Sequence, residues 1–211
     1  MQNHLPYVPP RVESCDDCSR RRLRQRFSWN ATALLLLGAL GIPGIADEVV
    51  EGAMSDKPHY VTQLQAAYGG PSEEGFGSAV FWQPMPDGDL TQAALSAYRT
   101  FVGKLWERYG EPAWMGPWRE VYRRPAGVKP DIVAELRGIS DPEAQSSVPM
   151  ILEVVENAGA ARAALSAAFD DPAVTELRAF TLGDGGAMSG LLVAGRRAPG
   201  GESALLVFLM D

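Results

Sequence analysis

Apolar residues recur at helical spacing in three stretches of the chain. The first places them at 60, 61, 64, 67 and 68, closed by Gly69-Gly70-Pro71. The second and clearest places them at 90, 94, 98, 101, 102, 105 and 109. Asp89 precedes it and Gln92 stands three residues on, as in a capping box, while Gly110 and Pro112 end it. This pattern predicts one helix over 90–109. The third stretch, 158–169, is rich in alanine, with Asn157 as its cap and Asp170-Asp171-Pro172 as its stop. Its small face predicts close packing on a sheet. Pro130 suits the first position of a shorter helix over 130–137, ended by Gly138.

Strand signals fall between and after these helices. Ala79 to Trp82 is a short apolar run closed by Pro84 and Pro86. Val148 to Val155 is a dense apolar run that predicts a buried strand, with a helix as the open alternative. Trp118 to Arg123 is a further strand candidate. The end of the chain is the most regular. Val174 to Leu182 alternates apolar and polar residues, Gly183-Asp184-Gly185-Gly186 turns, and Leu191 to Arg197 returns. Pro199-Gly200-Gly201 makes a second hairpin loop, and Ser203 to Met210 is almost wholly apolar. Such a strand is central or covered on both faces, and short connections make its neighbours antiparallel. The fold class predicted is α+β: helices on one face of a mostly antiparallel sheet that ends in a three-strand C-terminal meander. Its strands fall near 79–82, 148–155, 174–182, 189–197 and 203–210.

The first 53 residues follow another pattern. Residues 1–30 read as a disordered basic extension. Residues 31–53 read as an apolar signal-like segment and linker, or as a mistranslated upstream region. Residues 54–211 read as a single globular α+β domain. Ser19-Arg20-Arg21-Arg22-Leu23 resembles a twin-arginine export motif, and Gly44 and Ala46 suit a cleavage site after the apolar run 31–46. That run falls short of the roughly 20 residues of a spanning helix. Two localisations stand open: export through this signal, or a cytoplasmic protein whose true start is Met54. Membrane contact is expected only through 31–46, if that segment is retained. Cys15-Asp16-Asp17-Cys18 has the spacing of half a zinc site, yet a closed site needs four ligands. It reads as two incidental cysteines.

Charge narrows the partners. Residues 1–46 hold six arginines against three acids, a net of +3. The other 13 basic and 23 acidic residues give the remainder a net of −10. A body this acidic repels phosphate, so nucleic acid is not expected as a partner. An unknown protein or a small molecule is. The body has no cysteine and one histidine, His59, which leaves little for a histidine-dependent triad. No catalytic residue, metal ligand or cofactor is predicted.

Residues 183–190 carry four glycines in eight positions. Glycines allow backbone amides to approach a ligand, but neither a P-loop nor a dinucleotide fingerprint is present, because a strand follows rather than a helix. A turn with positive φ explains the stretch as well. Asp184 and Ser189 are its candidate binding residues. Trp114, Trp118 and Arg119 lie in an irregular aromatic segment and are the candidates for a contact surface. Arg196 and Arg197 read as a solvated hairpin end. The function expected is a non-catalytic binding or protein-interaction module. The alternative is a small-molecule enzyme using carboxylate or Ser189 chemistry near 183–190.

Overall fold

The computed structural model describes residues 57–85, 88–153 and 155–211. The basic extension, the cysteine pair, the apolar run and Met54 lie outside the described residues. Twelve elements follow in order: α1 (His59–Tyr68), β1 (Gly77–Pro84), α2 (Leu90–Val102), α3 (Lys104–Tyr109), α4 (Glu111–Met115), β2 (Arg119–Arg123), α5 (Ile132–Arg137), α6 (Pro142–Glu153), α7 (Ala158–Phe169), β3 (Val174–Gly183), β4 (Ser189–Arg197) and β5 (Glu202–Met210). No helix among the described residues is long and apolar enough to cross a membrane.

The strands make one sheet in the order β1-β5-β4-β3-β2, antiparallel throughout. The α+β class and the closing meander β3-β4-β5 are as predicted. β5 lies inside the sheet between β1 and β4, which is what its continuous apolar run requires. Along β5, Ala204 and Leu206 join one buried cluster while Leu205, Val207 and Leu209 join the other. Side chains alternate across a strand, so both faces of the sheet are covered. The helices therefore form two layers, where the sequence pattern placed them on one face. One layer is α1, α5, α6 and α7; the other is α2, α3 and α4.

Two predicted elements come out differently. The helix expected over 90–109 breaks at Gly103, which has φ +55°. At this break a side chain would be disfavoured by the positive φ and would sit 3.0 Å from the Glu73 carbonyl oxygen, so the position needs a glycine. Of the strand expected over 148–155, residues 148–153 are instead the second half of α6. Asp141 starts this helix, its carboxylate accepting from the Glu143 and Ala144 amides at 3.0 and 3.1 Å. Its buried positions 144, 147, 148, 151 and 152 have helical spacing. Pro149 lies inside it but on the exposed side, so its ring costs one backbone bond without entering the core.

The sheet edges are managed differently. The Val80 amide of β1 donates outward to the Gly69 carbonyl at 3.0 Å, and Gln65 Nε2 donates to the Val80 carbonyl at 3.2 Å. The end of α1 thus covers that edge. The other edge, β2, is five residues long, charged, and bulged between Glu120 and Tyr122. Short, charged and bulged edges resist pairing with foreign strands.

Candidate functional site

The glycine-rich turn folds upon itself. The Asp184 carboxylate accepts from the Gly186 amide at 2.8 Å and from the Met188 amide at 3.1 Å. The Asp184 amide donates to the Met188 carbonyl at 3.3 Å. Gly185 has φ +73° in the middle of this turn, and a side chain at Gly183 would clash with the Met188 carbonyl. The glycines are thus needed by the hairpin geometry. Tyr98, on α2, ties the turn down: its hydroxyl donates to the Gly183 carbonyl at 3.0 Å and accepts from the Gly183 amide at 3.1 Å. Burial pushes the Tyr98 pKa well above the usual tyrosine range, so the donor keeps its proton. Ser189 opens β4 opposite Gly183 and Met210 and is half-buried.

The aromatic candidates belong to the interior. Trp114 is fully buried, and its Nε1 donates to the Leu105 carbonyl at 3.2 Å. It stacks on Trp106 at 6.3 Å and meets Tyr98 edge-on at the same distance. Trp118 is half-buried between parallel rings, Phe180 at 4.6 Å and Tyr98 at 5.7 Å. Trp114 is therefore core and not contact surface: it stacks on one ring and meets two others edge-on, Tyr98 and Tyr109. Arg119 is held by Asp141 at 2.8 Å and by Glu143 at 3.1 Å. Burial opposes the charge of Asp141, yet Arg119 and two backbone amides keep its carboxyl below the usual range.

Some candidates meet in space. Thr181 Oγ1 donates to the Pro117 carbonyl at 2.6 Å, which brings the segment before Arg119 against the strand leading into the turn. Neither of two surface grooves found elsewhere touches 183–190. Among the described residues, no three His, Cys, Asp or Glu side chains group to hold a metal.

Arg197 does more than its sequence position suggested. It is 11% exposed, stacks over the Tyr60 ring at 4.1 Å and pairs with Asp171 at 2.8 Å. Glu202, beside it, accepts from Tyr60 at 2.8 Å and from Trp82 Nε1 at 3.1 Å. This network fastens the start of α1 to β1 and β5. Arg197 Nη1 also donates to the Ala168 carbonyl at 2.9 Å, which ties the network to the end of α7.

The feature the sequence did not disclose is a groove between α1 and α7. It has a volume of about 810 Å³ and is lined by Gln63, Ala66 and Ala67 from α1, by Val155, Glu156 and Asn157, and by Ala160, Ala163, Ala164 and Ala167 from α7. The inner row of α7, Ala161, Ala164, Leu165 and Ala168, joins the core as the alanine face predicted. A second row, Ala160, Ala163 and Ala167, is exposed. Alanine on both sides of one helix was the available signal, since a surface helix ordinarily puts charge outside. α1 carries no Asp, Glu, Lys or Arg, and α7 carries only Arg162. Arg162 turns back to donate to the Leu152 carbonyl at 3.1 Å. A smaller groove of about 390 Å³, at the α2–α3 break, is lined by Glu73, Arg99, Lys104, Trp106 and Glu107. Arg99 there is engaged by Glu111 and lies 5.1 Å over Trp106.

No protein-family model, curated protein or solved structure matches this chain.

Proposed function

We propose that this chain is a non-catalytic protein-interaction module that engages its partner along α1 and α7. The observation that carries this reading is the groove itself: about 810 Å³ of concave surface lined mostly by alanines of α1 and α7, with Gln63, Glu156 and Asn157 as its polar lining. Small residues let a foreign backbone approach closely, and exposed apolar concavities are where partners seat. The glycine-rich turn supports the enzyme alternative less well. Its carboxylate is committed to two amides of its own turn, and its glycines serve the hairpin. A net charge of −7 disfavours nucleic acid as the partner.

The test is site-specific photocrosslinking in the native host. A benzophenone amino acid replaces Ala163 in the groove, and Ala187, exposed on the glycine-rich turn, serves as control. A discrete protein adduct at position 163 and none at 187 is the expected outcome. Equal labelling at both positions sinks the proposal.

A further inference from the structure

We infer that Asp141 is a one-proton latch: its carboxylate holds the start of α6 to the edge strand β2, and its protonation in acid loosens both together. The two oxygens face different elements. Oδ1 accepts from the Glu143 and Ala144 amides at 3.0 and 3.1 Å, which caps α6. Oδ2 accepts from Arg119 Nε at 3.1 Å and from Arg119 Nη2 at 2.8 Å, so two N–H groups of the first residue of β2 converge on it. The charged groups facing this carboxylate are Arg119 from β2 and, across the same guanidinium, Glu143 from α6, 3.1 Å from Arg119. The Asp141 side chain is 19% exposed, so a proton reaches it from solvent without unfolding of the chain.

One charge strengthens all four of these bonds, and one proton removes it. Cap and grip are therefore a single equilibrium. Whatever tightens Arg119 on Oδ2 lowers the proton affinity of the group that caps α6, and the reverse holds equally. The latch acts on one end of β2. This strand is five residues long and bulged after Glu120, and the chain just past its other end is anchored by the buried Arg124–Glu135 pair. Burial works against the charge of Asp141, but Arg119 and the two amides outweigh it and hold the carboxyl below the usual aspartate range. A carboxyl depressed in the fold stabilises above its unfolded pKa of about 3.9 and loses that contribution as pH falls through the folded value. The latch is shut at neutral pH and opens in acid.

An NMR pH titration of the full chain reads the latch. It is run in the wild type and in Glu143→Gln, which removes the second acid on the same guanidinium. In both, the Asp141 carboxyl carbon, the Ala144 amide and the Arg119 Nε–H are expected to shift with one common midpoint, below the ordinary aspartate value of about 3.9. Arg119→Gln leaves the cap residue in place and removes the grip. It is expected to move the Asp141 midpoint up toward that ordinary value, an effect of β2 on the cap of α6. Asp141→Ala is expected to quicken amide exchange at Glu143 and Ala144 about fivefold at neutral pH, the usual effect of losing a cap. Arg119 is 43% exposed, so the fold tolerates its replacement. Separate midpoints for the Ala144 amide and the Arg119 Nε–H overturn the inference. So does an Asp141 midpoint that Arg119→Gln leaves unchanged, or a chain that unfolds as a whole before Asp141 titrates.

Discussion

The two helical layers of this molecule cover the same sheet with opposite materials. Over one face, α2, α3 and α4 close with rings: Tyr98, Phe101, Trp106, Trp114 and Trp118 pack around Phe180. Over the other, α1, α5, α6 and α7 close largely with alanine and branched aliphatics. Large rings fill space between elements with few side chains, and they bind helices that are individually too short to hold. α3 has six residues and α4 five, and α3 buries none of its residues fully. Alanines bring backbones together but leave nothing standing beyond them. The ring layer carries the groove of about 390 Å³ at the α2–α3 break; the alanine layer carries the groove of about 810 Å³ between α1 and α7.

Removing a ring from the ring layer is expected to have the largest effect. Trp114→Ala deletes a fully buried indole that stacks on Trp106 and touches Tyr98 and Tyr109. The expected loss is about 3–5 kcal/mol, read from urea unfolding. A loss below about 1 kcal/mol would mean that α3 and α4 do not depend on the ring cluster.

The alanine layer has one contact of comparable weight, and it is ionic. Arg124 pairs with Glu135 at 2.8 Å, both side chains being 8% exposed, and Arg124 Nη1 also donates to the Phe169 carbonyl at 2.8 Å. Removing one partner of a buried pair leaves the other charge uncompensated, at about 3–5 kcal/mol in the driest settings. Asp170, 3.5 Å from Arg124, softens that loss. Glu135→Ala is thus expected to cost about 2–3 kcal/mol, somewhat less than Trp114→Ala. Chemical denaturation at neutral pH checks the order. The reverse ranking would show that the alanine layer, not the ring layer, limits stability.

Tyr98→Phe probes the ring layer without disturbing its stacking. It removes only the hydroxyl that donates to and accepts from Gly183. Two buried backbone groups lose a partner, which is expected to cost about 1–3 kcal/mol. Hydrogen exchange should quicken in 183–189 before it quickens elsewhere. Uniform protection across the sheet in this variant would show that the turn holds without Tyr98.

How much of this contrast was legible in the chain depended on where each cause lies. α7 and the meander were legible because their signals are local: the Asn157 cap, alternation along β3, glycines at the turns. The break at Gly103 was not, because the Glu73 carbonyl that crowds a side chain there is 30 positions earlier in the chain and approaches only in the fold. The second half of α6 read as a strand because Val148 to Val155 is a dense apolar run, with a helix as the open alternative, although Ala144, Val148, Ile151 and Leu152 keep helical spacing. Trp114 and Trp118 were contact-surface candidates because their segment is irregular, yet irregular backbone can still turn rings inward: Trp114 is fully buried and Trp118 half-buried. The groove was the least legible feature. Alanine is equally at home inside and outside. Which alanine row of α7 faces water is set by its rotation against α1, and no residue encodes that locally.

The smallest expected effect tests how well each layer satisfies its polar atoms. In the ring layer the buried polar groups of Tyr98 and Trp114 both find carbonyls. In the alanine layer Ser147 is fully buried and its Oγ has no hydrogen-bond partner. The Glu143 carbonyl, one helical turn back, already accepts from the hydroxyl of Ser146 at 2.7 Å. A buried hydroxyl without a partner carries its full desolvation cost, and replacing it with a methyl of the same shape is neutral or favourable. Ser147→Ala is therefore expected to raise stability by up to about 1 kcal/mol, seen as a higher melting temperature. A lower melting temperature would show that the hydroxyl has found a donor or a water, and that the alanine layer is as fully satisfied as the ring layer.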